Sequence, residues 1–351
     1  MGAARTARPG AAARGVATCA AKGTPLVVEW IRDPGGVWNV PPAAMAQLAA
    51  DFPGVRFASP ATREEAESLL PGADVLYGYL LRPHNIGAAA NLRWVHSPAA
   101  GVTGLLFPEF ADSPITLTNG RGLHARSMAE HALALMLAIA RRLPRSRDMQ
   151  SARRWDQTGQ WQDEPGFLEL EGATLALVGF GRTGQGVGAL GRAMGMRVLA
   201  VRRRPDGDAS VAHEQFGVTQ LGEVLERADW VVVTAPHTPE TTRLIGANEL
   251  ARMKRSSYLI NLARGAVLDE EALLAALDAG RPAGAALDVF AEEPLPAASA
   301  LWSHPRVVVT PHVGGVGPRY WERALEQFET NLRHHLAGEP LVNVVDKQAG
   351  Y

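Results

Sequence analysis

Three side chains late in the chain stand just past the ends of apolar runs, and their types suit one reaction. Arg264 sits in Asn261-Leu262-Ala263-Arg264-Gly265. Glu293 sits in Asp288-Val289-Phe290-Ala291-Glu292-Glu293-Pro294, and His312 in Thr310-Pro311-His312-Val313-Gly314-Gly315. Hydride transfer to a ketone leaves a developing alkoxide that needs a proton, and His is the usual donor near neutral pH. A carboxylate beside that His orients the ring and stabilises its charged form. A 2-oxo acid substrate carries a carboxylate that a guanidinium fork matches, so Arg264 suits both anchoring the acid and polarising the ketone. Each residue alone has an ordinary structural reading: a hydrogen-bonding His, a loop acid before Pro294, a surface ion pair. On chemistry alone Glu292 and Glu293 are equal candidates. Joint placement at successive strand ends is what marks the set, because ligands of open α/β sheets bind beyond those ends.

A hydride needs a source, and residues 174–204 point to one. An apolar run, Thr174 to Val178, enters Gly179-Phe180-Gly181-Arg182-Thr183-Gly184, a helical stretch follows, and a second apolar run ends at Val201. Strand, glycine turn, helix and strand in this order bind a dinucleotide. Gly179 permits the tight turn, Gly181 leaves room for the pyrophosphate, and Gly184 lets helix and strand pack closely. The helix start at Arg182 and Thr183 then presents unpaired N–H groups to the phosphates. NAD-binding versions carry Asp or Glu at the tip of the second strand. Arg202 and Arg203 stand there instead, followed by Arg204, and Asp206 and Asp208 come too late to replace the acid. Guanidinium groups pair with a 2′-phosphate, so the expected cofactor is NADPH rather than NADH.

The elements that must hold these residues follow from periodicity. Leu26 to Trp30, Val55 to Phe57, Asp74 to Tyr77, Leu92 to His96 and Ile115 to Thr118 read as strands, with helices at Ala43 to Ala50 and Glu64 to Leu70. Thr62 and Glu65 form a capping box for the second helix. A long helix is expected from near Ser127, with Ser127 and Glu130 as a second capping box, ending at Arg141, Arg142 and Pro144. It is apolar on most sides, hence buried on most sides, within the chain and against a second subunit. A second α/β unit runs through strands Trp230 to Thr234, Tyr258 to Leu262, Gly284 to Val289 and Val307 to Thr310, with a helix from Asp269 to Ala279. Val313 to Pro318 reads as a hinge, and a last helix, about Arg319 to Leu336, returns to the first unit. The fold class is therefore α/β, with two doubly wound parallel-sheet domains. The expected boundaries are 25–120 with 317–345 for a flavodoxin-like substrate domain, and 121–316 for a Rossmann cofactor domain inserted in it. Residues 1–24 carry four basic residues and no acid. They resemble a transit peptide in composition but read better as a disordered tail.

Composition narrows the partners. The 351 residues carry a formal charge of −1, so nothing favours nucleic acid. The single Cys19 excludes a disulfide framework and Cys-rich metal sites; no metal site is expected, and a reducing, cytoplasmic setting is. The apolar run Ala132 to Ala140 is too short to span a bilayer, so no membrane partner is expected.

These motifs together resemble the D-isomer-specific 2-hydroxyacid dehydrogenase family from about Thr24 onward, including His124-Ala125 and Ala129-Glu130-His131 in its crossing helix. The resemblance implies that Arg264, Glu293 and His312 are the catalytic set, and it selects Glu293 over Glu292. It implies that Asp288 and Gly314 lie near the nicotinamide and that Pro236, Thr241, Leu262 and Ala263 line the cofactor. It also implies a homodimer built around the 127–142 helix and a small 2-oxo or 2-hydroxy acid substrate. Family members that reduce glyoxylate or hydroxypyruvate with NADPH resemble the chain more than those with Asp at position 202. The length argues against the longer phosphoglycerate dehydrogenases, and Glu293 against the formate dehydrogenase branch. In the first unit, backbone N–H groups of Gly78 and Tyr79 are candidates to bind the substrate carboxylate; a plain strand-to-helix turn is the other reading. Two alternatives of function stay open: a nucleotide-sensing protein like the corepressors of this fold, and a dehydrogenase of phosphite or a sugar-phosphate acid.

Overall fold

The computed structural model describes residues 23–350 except 34, 37, 165 and 206–210. The tail expected at 1–24, Cys19, and the acids Asp206 and Asp208 thus lie outside the described residues, Gly23 and Thr24 excepted. Two parallel sheets organise the rest. The first holds β1 (Leu26–Trp30), β2 (Arg56–Ala58), β3 (Val75–Gly78), β4 (Trp94–Ser97) and β5 (Thr116–Asn119) in the order β2-β1-β3-β4-β5. This is the flavodoxin-like order. The second holds β6 (Thr174–Val178), β7 (Arg197–Val201), β8 (Glu214–Phe216), β9 (Trp230–Val233), β10 (Tyr258–Asn261), β11 (Gly284–Leu287) and β12 (Val307–Val309). Its order, β12-β11-β10-β9-β6-β7-β8, is the Rossmann order with one strand added. The fold class expected from sequence is the one observed.

Both sheets are made of short apolar runs because each is covered on two faces. All residues of β1, β3, β4, β9, β10 and β11 are buried. The chain crosses between sheets twice. The Ala125–Ala140 helix packs on the Arg182–Ala193 helix of the Rossmann unit. Small residues permit the approach: a Cβ on Gly186 would lie 3.2 Å from the Ala129 Cβ. The Tyr320–Ala337 helix returns to the first sheet, where Phe328 stacks on Tyr77 and Trp94 with ring centroids 4.3 and 5.3 Å away. Beyond it, Val344 bridges antiparallel to Thr118 of β5.

Several expectations need correction. The capping box at Thr62 and Glu65 is present, but the one at Ser127 and Glu130 is not. The helix starts at Ala125, so Ser127 already lies in its first turn. Its hydroxyl lies 3.3 Å from the carbonyls of His124 and Gly315, to which it donates, and Glu130 pairs with Arg126. Pro144 does not end that helix but opens the next, Leu143–Ser151, after Arg142 turns the chain at φ 56°. Strand β8 was not expected; three residues, Glu-Gln-Phe, carry no readable alternation.

One buried polar group makes the first sheet acid-sensitive. Trp94 Nε1 donates to Thr118 Oγ1 at 2.7 Å, and that hydroxyl lies 2.7 Å from His96 Nδ1. The indole N–H only donates, so Thr118 Oγ1 accepts from it while sharing one further hydrogen bond with His96 Nδ1. Nε2 is buried with no partner. Burial lowers the His96 pKa to about 3. The unfolded chain therefore takes up a proton near pH 6.5 that the folded chain refuses, and stability falls as pH drops below that value, by up to about 1.4 kcal/mol per pH unit. Urea midpoints at pH 7 and pH 4.5 should show a smaller loss for His96→Leu than for the wild type; parallel losses would refute the assignment.

Candidate active site

The carboxyl ends of both sheets face one cleft, and two cavities share a wall there. One, about 740 Å³, runs along the Rossmann unit past Gly181, Arg182, Thr183, Gly184, Pro236, Leu262 and Ala263. The other, about 560 Å³, lies towards the first sheet between Ile31, Trp38, Tyr79, Pro98, His124 and Tyr320. Arg264 and His312, with Ala100, Met128 and Leu262, line both.

The larger cavity has the features of a nucleotide cradle. Gly179 adopts φ +97°, and a Cβ there would lie 2.5 Å from the Ala235 backbone nitrogen. Such a turn excludes other residues. Gly181 is the N-cap of the Arg182–Ala193 helix, whose first N–H groups have no intrahelical partner. Arg202 extends from β7 with its guanidinium 5.9 Å from the Phe180 ring and 3.4 Å from Gln215 Oε1. Arg203 is exposed, and its charge acts on Glu240 in the Pro239–Thr241 turn. Thr241 itself is not on the cavity wall. Its hydroxyl donates to the Pro236 carbonyl at 2.7 Å and accepts from the Thr238 N–H at 2.7 Å, so it closes the turn that presents Pro236.

Of the three candidate catalytic residues, Arg264 and His312 stand on the shared wall and Glu293 lines the larger cavity beside His312. Glu293 Oε2 lies 2.7 Å from His312 Nδ1, while Oε1 accepts the Phe290 N–H at 2.9 Å. The carboxylate is thus fixed by its own turn before it meets the ring. It is Glu293 and not Glu292 that makes this contact. Arg264 follows β10, with Nη1 donating to the Ala263 carbonyl at 2.6 Å. Asn261 braces that loop: its Oδ1 accepts from Ala263 N–H, and its amide donates to the Arg264 carbonyl. Next in sequence, Gly265 passes against the Phe290 carbonyl so closely that any Cβ would overlap it. That approach sets the Arg264 loop beside the Glu293 loop.

His312 takes the left-handed region at φ 52°, a conformation costing a non-glycine residue about 1–3 kcal/mol. Asp288 holds it there. The Asp288 carbonyl accepts the His312 N–H at 2.8 Å. Its Oδ1 accepts the Val313 N–H at 3.0 Å and the Thr310 hydroxyl at 2.6 Å, and its Oδ2 accepts the Gly314 N–H at 2.9 Å. His131 of the crossing helix lies 3.4 Å from Oδ1. Burial pushes the Asp288 carboxyl up, but the hydrogen bonds from His131, Thr310, Gly314 and Val313 outweigh it and hold the group below the usual carboxylate range. Both oxygens of Asp288 are turned to the 310–314 turn, so in this arrangement it is a brace for His312. Gly314 likewise serves through its N–H.

In the first unit, the expectation for Gly78 and Tyr79 is corrected. The Tyr79 N–H already donates to the Trp30 carbonyl at 2.9 Å, and Gly78 is buried at the end of β3. Tyr79 reaches the cavity with its ring instead. Sequence reasoning did not find Trp38, Met128 or Tyr320 as wall residues, and it noted His124 only as part of the crossing-helix motif.

Comparison with known proteins agrees with this geometry. The family described as D-isomer specific 2-hydroxyacid dehydrogenase, NAD binding domain, matches residues 133–314. A glyoxylate reductase of Thermofilum pendens is 34% identical over 299 residues, covering 82% of this chain and 86% of that protein. A D-3-phosphoglycerate dehydrogenase of Synechocystis is 33% identical over 74% of this chain, which spans only 46% of that protein. Among solved structures, an NADPH-dependent glyoxylate/hydroxypyruvate reductase of Sinorhizobium meliloti, crystallised with NADP and sulfate, superposes with a TM-score of 0.78 at 29% identity, over 93% of this chain and 100% of that one.

The brace on His312 is testable. In Asp288→Asn an amide N–H must face a backbone N–H donor, which costs about 1–3 kcal/mol when buried. The variant's urea midpoint should fall at pH 7. The difference from wild type should shrink in acid, because the stability lent by a lowered carboxyl is complete above the usual carboxylate range and is lost as pH falls through its folded value.

Proposed function

The chain belongs to the D-isomer specific 2-hydroxyacid dehydrogenase family, and on that premise we propose that it reduces a small 2-oxo acid to the D-2-hydroxy acid with NADPH. The observation that carries this reading is the shared wall. A cavity lined by the glycine turn and a smaller, partly aromatic one meet where a guanidinium and a carboxylate-paired imidazole both emerge. The glycine cradle and the bare helix start fit a pyrophosphate, and Arg182 and Thr183 line its path. Arg202 and Arg203, at the tip of β7, are the groups we assign to the 2′-phosphate. When bound, the nicotinamide supplies the hydride.

The chain's own residues supply the rest. Arg264 anchors the substrate carboxylate and draws electron density from the ketone oxygen. His312 gives the proton that the reduced oxygen takes, from Nε2, because Nδ1 faces Glu293. Glu293 fixes the ring and stabilises its charged form, the same role that a carboxylate plays beside other acid–base histidines. Leu262 and Met128 close the wall with apolar surface and keep water from the reacting carbon. The reading includes a homodimer through the helix at 127–142, supported by Trp155 and Trp161 just beyond it, which are 93% and 78% exposed. It also includes the domain boundaries stated above and a cytoplasmic setting; no helix among the described residues is long and apolar enough to cross a membrane.

A matrix of glyoxylate, hydroxypyruvate and pyruvate against NADPH and NADH tests the proposal. His312→Asn should lower kcat by about 10²–10⁴ with NADPH binding retained, and Glu293→Gln should do so less severely. Absence of turnover with every pair, with a cofactor-dependent protein partner instead, would favour the nucleotide-sensing alternative.

Cofactor choice has its own test. Replacing Arg202 and Arg203 together by Ser should raise KM for NADPH by about tenfold or more while leaving KM for NADH within a few-fold, since only the former loses charge-assisted pairs. Wild-type preference for NADH would refute the assignment.

A further inference from the structure

We propose that His124 selects what the substrate carries beyond its ketone: its Nε2 accepts a hydrogen bond from a donor on C3, a hydroxyl being the simplest. This rests on reading the 560 Å³ cavity as the 2-oxo acid site. His124 stands at the head of the crossing helix and lines that cavity. Its Nδ1 lies 2.9 Å from the Gly315 carbonyl, so Nδ1 carries a proton and donates it. The ring is held on two sides. Tyr320 stacks on it with centroids 5.0 Å apart, and Trp38 meets it edge-on at 6.0 Å. Orientation is therefore fixed, and Nε2 has no hydrogen-bond partner among the described residues. His124 lines the cavity, and Nε2 is not among the fully enclosed unpaired polar atoms of the described residues.

The protonation state follows from the surroundings. Burial lowers the His124 pKa; the Gly315 hydrogen bond raises it in part, and the charges of Arg264 and His312 lower it further. A neutral ring with its proton on Nδ1 has a bare lone pair on Nε2. The influence of Arg264 and His312 also places the ring near the groups assigned to the carboxylate and the ketone.

The other polar side chains of the cavity make hydrogen bonds within the wall. Arg32 donates to Glu29, to the Ile31 carbonyl and to the Pro60 carbonyl. Asp33 accepts the Trp38 N–H. The Tyr79 hydroxyl accepts the Ala99 N–H, the Tyr320 hydroxyl donates to the Pro98 carbonyl, and Asp288 is taken up by the 310–314 turn. With Arg264 and His312 holding the acid and the ketone, His124 offers C3 an acceptor whose lone pair has no other hydrogen bond among the described residues. A methyl there would bury an unsatisfied nitrogen, whereas a hydroxyl satisfies it.

Hydroxypyruvate and pyruvate differ only in that hydroxyl, and glyoxylate has no C3. The full-length enzyme with NADPH should show kcat/KM at least about tenfold higher for hydroxypyruvate than for pyruvate, the size of one net hydrogen bond. In His124→Asn the shorter amide still reaches Gly315 but offers nothing at the Nε2 position, so this ratio should collapse towards one. His124→Gln, which places an amide oxygen farther out, should restore part of it. A wild type that uses pyruvate as well as hydroxypyruvate overturns the proposal, whether or not the variants fold. So does a loss in His124→Asn that is equal for all three acids, which would mark only a displaced hinge. A wild type active on glyoxylate but with an unmoved ratio overturns this assignment alone. One inert towards all three acids overturns the reading of the site, and this assignment with it.

Discussion

The active-site side of this molecule depends on one carboxylate whose ligands are its own backbone. Asp288 gathers three successive N–H groups, one on its carbonyl and two on its side chain. Successive N–H groups curled into one concavity form a natural anion seat, and here the anion is built in. Asp288 flanks His312, which holds φ 52° and faces Glu293. The same residue reaches further. Thr310 ties it to the end of β12 and His131 ties it to the crossing helix. The turn it organises continues to Gly315, whose carbonyl receives His124. Strand end, the 310–315 turn, crossing helix and both cavity histidines are thus joined in one contact network around Asp288.

A second constraint is steric and acts on Arg264. Two loops from neighbouring strands, β10 and β11, must touch for a guanidinium and a Glu–His pair to face the same wall. Gly265 against the Phe290 carbonyl makes that contact possible, since a single methyl would force the loops apart. Substitution there would act on geometry before it acted on charge. Because the guanidinium also anchors on its neighbour's carbonyl, its position follows the backbone and not a flexible rotamer.

Much of this was legible in the sequence, and the pattern of what was not is physical. The strands announced themselves because a parallel sheet covered on both faces needs unbroken apolar runs. The glycine turn and the Arg, Glu and His positions were readable because each lies within a few residues of such a run. What escaped was set by long-range contact. Tyr320 and Trp38 reach His124 only because the last helix folds back across nearly the whole chain, drawn by Phe328 into the Tyr77 and Trp94 stack. No local signal marks such a residue. Ser127 and Glu130 had the spacing of a capping box, but the helix starts two residues earlier, with His124 as its N-cap, so Ser127 lies inside the first turn. For Tyr79, the neighbouring strand β1 took the backbone N–H that the sequence left open.

The two cavity histidines show how the partner of a ring assigns its task. Each has its Nδ1 engaged. The partner of His312 is a carboxylate, which stabilises positive charge whenever the ring carries it, so the ring suits giving and taking a proton. The partner of His124 is a carbonyl, which fixes the tautomer while adding no charge, and burial lowers the ring's pKa. On the proposed reading one ring is a proton donor and the other an acceptor. A substrate spanning them would meet donors at its acid and ketone and an acceptor beyond, a polarity that a 2-oxo acid bearing a hydroxyl matches from end to end.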